Sequence, residues 1–356
     1  MRIGIALPTL VDGDAVGNDV LGMARALRAR GYDVLFFAWV GKIDEPVKTP
    51  DELPRLLNRP DDVLIYHHSI GCEWAVKAVE TLPCRTAVKY HNVTPPRFFE
   101  KTNPEVARGC AEGIRQVARL ARTKAHIWAD SEFNAKDVWA VNPNRKVAEL
   151  PPFHHAEQLI RAEPDFRAVS GLDDWATNLL LVGRVAPNKN ILLAVRALAE
   201  YRKRFDPRAR LVVVGDRPIP DYANEVDKLA RDLGQDGHTL ITGKVTTSQL
   251  KSLYLTADAL LVTSLHEGFC VPLVEAMGLR LPVVAVPTAA VPFTGGDAAT
   301  YADPDPAAVA DALHAVLGDP AAKERQVARG WDRFAGKFTT KAIGERFEAL
   351  FDELVA

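Results

Sequence analysis

Short apolar runs alternate with longer amphipathic stretches along most of this chain, which is the pattern of parallel sheets covered by helices. In the first half, runs at 2–8, 33–39, 63–69, 85–92, 125–130 and 147–150 predict buried strands. Helical periods lie between them, as at 18–30 and 104–123. The break Arg30-Gly-Tyr-Asp33 predicts a helix stop at Gly31, with the next strand two residues on. A second series starts at Asn178, with strands expected at 179–184, 211–215, 238–242, 258–263 and 282–286. Its helices fall near 190–204, 221–233, 247–256, 272–279 and 306–318. From Pro151-Pro-Phe-His-His155 to Asp173-Asp174 a Pro pair, many charges and no sustained period read as a linker.

The last stretch, Trp331 to Ala356, is helical in pattern, with Phe334, Phe338, Ile343, Phe347, Leu350, Phe351 and Leu354 as its apolar positions. It lies outside both series and is expected to pack back on the first. The expectation is an α/β fold of two doubly wound domains, 1–165 and 175–335, facing each other across a cleft. A final helix at about 337–356 returns to the first domain. In such sheets ligands bind beyond the C-terminal strand ends, so the chemistry is expected there.

Composition narrows the partners. A length of 356 residues suits two open-sheet cores, and 47% apolar with 25% charged residues suits a soluble globular protein. A net charge of −2 and a pI near 6.5 give no reason to expect nucleic acid. Cys72, Cys84, Cys110 and Cys270 follow no metal-ligand or disulfide spacing, so a reducing, cytoplasmic compartment is expected. The run Met1-Arg-Ile-Gly-Ile-Ala-Leu-Pro8 is too short for a signal-peptide core or a membrane span.

The candidate chemistry concentrates in the second series. Ser264-Leu-His-Glu-Gly-Phe-Cys-Val-Pro-Leu-Val-Glu-Ala-Met277 places Glu267 and Glu275 eight residues apart across a strand–loop–helix junction. Pro272 suits the helix's first turn. The N–H groups of Phe269 and Cys270 would then join the positive end of the helix dipole, an anion site between two acids. Such a pairing suits a ligand with both hydroxyls and phosphates, as a nucleotide sugar has. Upstream, Leu180-Leu-Val-Gly-Arg-Val-Ala-Pro-Asn-Lys-Asn190 sets Arg184 and Lys189 five residues apart at a strand end. Two such cations can converge on one diphosphate. Taken alone they read as ordinary solvated loop charges; beside the two glutamates the binding role is favoured.

Gly-Arg-x4-Lys at 183–189 followed by Glu-Gly-Phe-x5-Glu-Ala at 267–276 resembles the retaining glycosyltransferases of family GT4, which have the GT-B fold of two Rossmann-like domains. The resemblance implies that Arg184 and Lys189 bind the donor diphosphate and stabilise the leaving nucleotide. It implies that Glu275 accepts from the ribose hydroxyls, that Glu267 contacts the transferred sugar, that the N–H groups of Phe269, Cys270 and Val271 complete the phosphate cradle, and that Gly183 and Gly268 belong to the donor-binding set. Cys270 departs from the pattern, since many relatives carry glycine there, and its side chain reads as packing. Lys89-Tyr-His-Asn-Val-Thr-Pro-Pro96 looks like a subgroup that builds bacterial surface polysaccharides with mannosyl or rhamnosyl donors. Within it His91 is the fourth catalytic candidate, able to donate to the donor sugar from a strand end. His67 and His68 read as structural or as serving the acceptor. Gly17 at the first helix start matches the place of a family turn that approaches the donor phosphate.

The implied reaction is retaining transfer of a hexose from a nucleoside-diphosphate sugar to a saccharide or polyprenyl-linked saccharide acceptor. A GDP-mannose-type donor is preferred and UDP-sugars remain open. No cofactor or metal is expected, because Asp12-Gly-Asp14 and Asp303-Pro-Asp305 sit in turn-rich loops where acid pairs are ordinary turn chemistry. Arg108, Arg115, Arg119, Arg122 and Lys124 line one helical segment, either as a solvated face or as peripheral contact with an anionic membrane at the inner face of the plasma membrane. A sugar-nucleotide epimerase and a non-catalytic nucleotide-sugar binding protein are the alternatives. A nicotinamide dehydrogenase is disfavoured, since no Gly-x-Gly-x-x-Gly follows either first strand.

Overall fold

Alternation along each apolar run decides which layer a residue enters, and two sheets grow from that rule. The computed structural model describes residues 1–11, 13–172, 174 and 176–356. They divide into two units, Met1–His154 with Thr339–Ala356, and His155–Phe338. In chain order the strands of the first are β1 (Arg2–Ala6), β2 (Thr9–Val11), β3 (Asp33–Phe37), β4 (Val40–Lys42), β5 (Val47–Lys48), β6 (Val63–His68), β7 (Arg85–Tyr90), β8 (His126–Ala129) and β9 (Val147–Glu149). Seven of them form one parallel sheet in the order β5-β3-β1-β6-β7-β8-β9, and β2 pairs with β4 apart from it. The second unit holds β10 (Asn178–Val182), β11 (Arg210–Val214), β12 (Thr239–Gly243), β13 (Ala259–Val262), β14 (Val283–Ala285) and β15 (Thr300–Tyr301). These run parallel in the order β12-β11-β10-β13-β14-β15.

Each sheet separates two cores. In the second unit Leu179, Leu181, Leu211, Val213 and Leu261 face one helical layer, while Leu180, Val212, Val214, Leu260 and Val262 face the other. In the first, Ile3, Ile5, Val63, Ile65 and Trp128 share a layer with Val20 and Met23 of the helix Ala15–Ala29. Leu64, Tyr66 and Val88 face the opposite layer. The helix Thr340–Val355 closes the first of these layers with Ile343, Phe347, Leu350, Phe351 and Leu354, and Phe347 meets Trp128 edge-on at 5.8 Å.

Every predicted strand forms, with ends shifted by at most two residues. The short strands β2, β4, β5 and β15 carry too few residues to show a period, and were not foreseen. The stretch read as a linker is built differently. Ala156–Arg161 is a helix whose Ala156 and Leu159 enter the second unit's core, and the Lys251 ammonium donates to the Ile160 and Ala162 carbonyls at 2.7 and 2.6 Å. Six residues are too few for a helical period to emerge, and a lysine ninety positions downstream supplies the cap. The expected C-terminal helix also divides. Phe334 and Phe338 belong to the second unit's core, and the residues from Ile343 on belong to the first.

Candidate functional site

In each sheet the chain order reverses once, between β1 and β6 in the first and between β10 and β13 in the second. Loops leaving the two strands on either side of such a point diverge and open a crevice. The second unit's crevice receives Gly183 and Arg184 from the end of β10, and Thr263 to Glu267 from the end of β13.

Backbone and side chain stitch these two loops together. The Leu265 N–H donates to the Asn188 carbonyl at 2.7 Å, and the Thr263 hydroxyl to the Lys189 carbonyl at 3.0 Å. The Lys189 ammonium then reaches Glu267 Oε1 at 2.6 Å, and the Ser264 hydroxyl donates to the same oxygen at 2.6 Å. Gly183, at φ 154°, gives the lysine its path, since a Cβ there would lie 2.9 Å from Lys189 Cε. Burial works against the Lys189 charge, but the adjacent Glu267 carboxylate outweighs it and holds the ammonium above its ordinary range. Arg184 is exposed and makes no hydrogen bond or ion pair among the described residues.

The helix Val271–Gly278 starts at the far side of this cluster with Pro272 in its first turn. The N–H groups of Phe269, Cys270 and Val271 find no backbone acceptor among the described residues, so they stand ready for an anion. Gly268 precedes them in the loop. Cys270 occupies the N-cap in a left-handed conformation, φ 76° and ψ 68°, and is buried. Burial first, then Glu267, pushes its thiol well up, so it is a packed, inert thiol. Glu275, one turn into the helix, accepts from the Tyr254 hydroxyl at 2.6 Å. Burial raises its carboxyl, with Tyr254 pulling the other way.

The first unit's crevice holds a different constellation. Alternation on β6, β7 and β8 sends His67, Lys89 with His91, and Asp130 to the layer that contains Val20, Met23 and Trp128. Lys89 donates to Asp130 and to the Leu150 carbonyl. His91 Nδ1 meets Asp130 Oδ2 at 3.0 Å, and His91 Nε2 meets His67 Nδ1 at 2.9 Å. Asp19, from the helix Ala15–Ala29, stands 3.6 Å from His91 and 3.7 Å from His67, and accepts the Phe153 N–H at 2.7 Å. Burial raises the Asp19 carboxyl to about 6 and pushes His67 well down. On the alternate face Tyr90 and Asn92 both donate to Asp137 Oδ2, at 2.6 and 2.9 Å. The Lys-Tyr-His-Asn string thus reads as two interleaved pairs, each holding one aspartate.

Both ring nitrogens of His91 are therefore engaged inside the protein, which the expectation of a donor-facing His91 did not include. Gly17 lies buried in the first helical turn, where a Cβ would come 2.0 Å from the Val11 carbonyl oxygen, so close packing accounts for the glycine without a ligand. Asp305 accepts from the Ala307 and Ala308 N–H groups at 3.0 and 2.9 Å as a helix cap. Asp12 lies outside the described residues. Among those described, Asp19, His67 and His91 are the group whose atoms could hold a metal ion, within 4.8 Å of one another. Within that group His67 and His91 share a hydrogen bond, and the Lys89 charge lies close to Asp19. Sequence reading missed Asp19, Asp130, Ser264 and Tyr254. Asp130 closes the apolar run Ile127-Trp-Ala129, a signal that was available; Asp19 and Tyr254 lie inside ordinary helical periods and gave none. A cavity of about 800 Å³ opens beside Asn178 and Asp258, at the N-terminal ends of β10 and β13, whereas the cluster lies beyond their C-terminal ends.

The second unit's cluster lies within a segment that matches a known family. Residues 163–331 match the family model for glycosyl transferases group 1. The group 1 match contains Gly183, Arg184, Lys189, Glu267 and Glu275 together. A D-inositol 3-phosphate glycosyltransferase of Corynebacterium kroppenstedtii is 25% identical over 79% of this chain and 63% of its own length. A GDP-mannose-dependent alpha-(1-6)-phosphatidylinositol monomannoside mannosyltransferase of Mycolicibacterium smegmatis is 28% identical over 53% of this chain and 50% of its own. The chain thus spans between half and two thirds of these two relatives. Among solved structures, Anabaena HepE in complex with UDP-glucose aligns with 99% of this chain and 100% of its own, with a TM-score of 0.78 and 17% identity. That likeness is one of fold: α/β, with two parallel-sheet domains, of the GT-B kind.

Proposed function

We propose that this chain is a glycosyltransferase that moves a hexose, with retention, from a nucleoside-diphosphate sugar to a saccharide or lipid-linked saccharide acceptor. The observation that carries the reading is the Lys189–Glu267 pair at the switch point, beside the N–H groups of residues 269–271 and the Arg184 guanidinium, which have no partner among the described residues. Departure of a diphosphate from an oxocarbenium-like carbon builds negative charge on phosphate oxygens. The held Lys189 ammonium and the oriented N–H groups lower that barrier because they need not reorganise as the charge grows, and the exposed Arg184 adds its charge to them. Glu267 then serves the sugar hydroxyls and Glu275, steadied by Tyr254, the ribose, so neither acid has to act as a nucleophile. No metal is required, since Arg184, Lys189 and the helix end supply the positive charge.

GDP-mannose-type donors are preferred, in keeping with the GDP-mannose dependence of the Mycolicibacterium relative, and surface polysaccharide assembly is the setting implied by the Lys89–Pro96 string. UDP-sugars are the competing donors, as in the HepE complex. The experiment is a thermal-shift panel of UDP, GDP, ADP and dTDP followed by transfer assays, with and without chelator. One nucleotide should raise the melting temperature, and its mannosyl or glucosyl ester should turn over in chelator. A flat response to all four nucleotides would reject the reading, and abolition by chelator would reject the metal-free mechanism.

A further inference from the structure

We infer that Ser264 is a positioning residue that fixes the plane of the Glu267 carboxylate, and so the direction in which its free oxygen faces the donor sugar, and thereby takes part in discrimination between sugars. The inference rests on the transferase reading above. Its basis is an asymmetry in how Glu267 is held. Lys189 Nζ and Ser264 Oγ both donate to Oε1, each at 2.6 Å. A carboxylate offers about four lone-pair sites, two on each oxygen, so these donors fill Oε1 and leave Oε2 for a ligand. Hydrogen bonds to an ionised acceptor are the strong kind, and two donors arriving from different loops fix the plane of the group as well as its position.

Ser264 is itself rigidly placed. It is buried, follows β13 by two residues, and has its carbonyl tied to the Thr288 hydroxyl. The neighbouring Leu265 N–H and Thr263 hydroxyl lock the same loop to residues 188 and 189. Lys189 has three N–H donors and spends one on Glu267, so the others remain for the donor phosphate. Were the lysine the sole anchor, the carboxylate could tilt about its terminal bond, a torsion with broad minima, and present its free oxygen over a range of directions. A sugar with a misplaced hydroxyl would then find an acceptor, and selectivity would fall. Ser264 prevents that tilt without touching the phosphate side.

The test compares wild type with Ser264→Ala on three readouts. Affinity for the nucleoside diphosphate alone should stay within about twofold, because Lys189, Arg184 and the helix end are unchanged. Turnover efficiency with the full donor should fall by about tenfold or more, the loss of one hydrogen bond to a charged group. A deoxy or epimeric donor that costs wild type heavily should cost the variant much less, so that the two changes are not additive. Ser264→Cys, isosteric with a far weaker donor, gives the same comparison where the alanine variant does not fold. Unchanged discrimination in a folded variant would overturn the inference while leaving the transferase reading intact. A wild type that binds no nucleoside diphosphate at all would overturn both.

Discussion

Arg184 and Lys189 carry a similar charge toward the same crevice but stand in different circumstances. Arg184 is exposed and uncommitted, so Arg184→Ala should leave the unfolding transition unchanged and lower kcat/KM by about 10²–10³, read by initial rates at subsaturating donor. Lys189→Ala should lose as much rate, and in addition leaves Glu267 without its cation, so its melting temperature should also fall. Equal rates for Arg184→Ala and wild type would remove the arginine from the diphosphate site. Cys270 poses a backbone question instead. Its φ of 76° costs a residue with a Cβ about 1–2 kcal/mol, which glycine avoids. Cys270→Gly trades that relief against lost packing and should stay within about 1 kcal/mol of wild type. Cys270→Val, β-branched in the same conformation and buried, should cost about 2 kcal/mol or more in urea unfolding.

Strands of period two explain how single elements carry two duties. On β7 the alternation hands Lys89 and His91 to Asp130 and Tyr90 to Asp137, while on β6 it sends His67 toward Asp19 and His68 toward the Gly113 carbonyl, 2.9 Å away. Burial lowers His68 to about 4 and raises Asp19 to about 6. The signs oppose. His68 binds its proton more readily in the unfolded chain, so its contribution to stability is present above about 6.5 and lost as pH falls toward 4. Asp19 binds its proton more readily when folded, so its contribution is present below about 3.8 and lost as pH rises through 6. In wild type the two partly cancel between pH 4 and 6. Asp19→Asn removes the opposing limb, and its stability in urea should fall more steeply on acidification through that window than wild type does. Parallel curves would mean that the Asp19 proton is not coupled to folding.

Two units, each with its own reversal of strand order, put one polar constellation at each switch point. No helix among the described residues is long and apolar enough to cross a membrane. The basic segment at 108–124 is less basic in three dimensions than in sequence. Arg115 is held by Glu112 at 2.6 Å, and Arg119 by Glu73 and Glu80 at 2.6 and 2.7 Å, which leaves Arg108, Arg122 and Lys124 without ion pairs among the described residues. Three exposed charges are screened at physiological salt, where the Debye length is about 8 Å. Co-sedimentation with anionic vesicles should therefore be weak and should vanish by about 0.15 M salt. Strong, salt-resistant binding would restore the membrane face.

Legibility followed sequence distance. The strands and long helices could be read because each is dictated by neighbours two to four positions away, and spacing also put Lys189 and Glu267 in strand-end loops, which the structure joins at 2.6 Å. The helix Ala156–Arg161 could not, because it is secured by Lys251 and by the second unit's core. Nor could the engagement of His91, whose partners Asp130 and His67 come from separate strands and meet it only once the sheet has paired. Sequence by itself determined the periodicity, the reversal-prone series of strands and the chemical types available at their ends. Tertiary structure alone decided which of those groups meet, because a hydrogen bond of less than 3 Å between residues dozens of positions apart depends on strand order and register, neither of which is a local property of the chain.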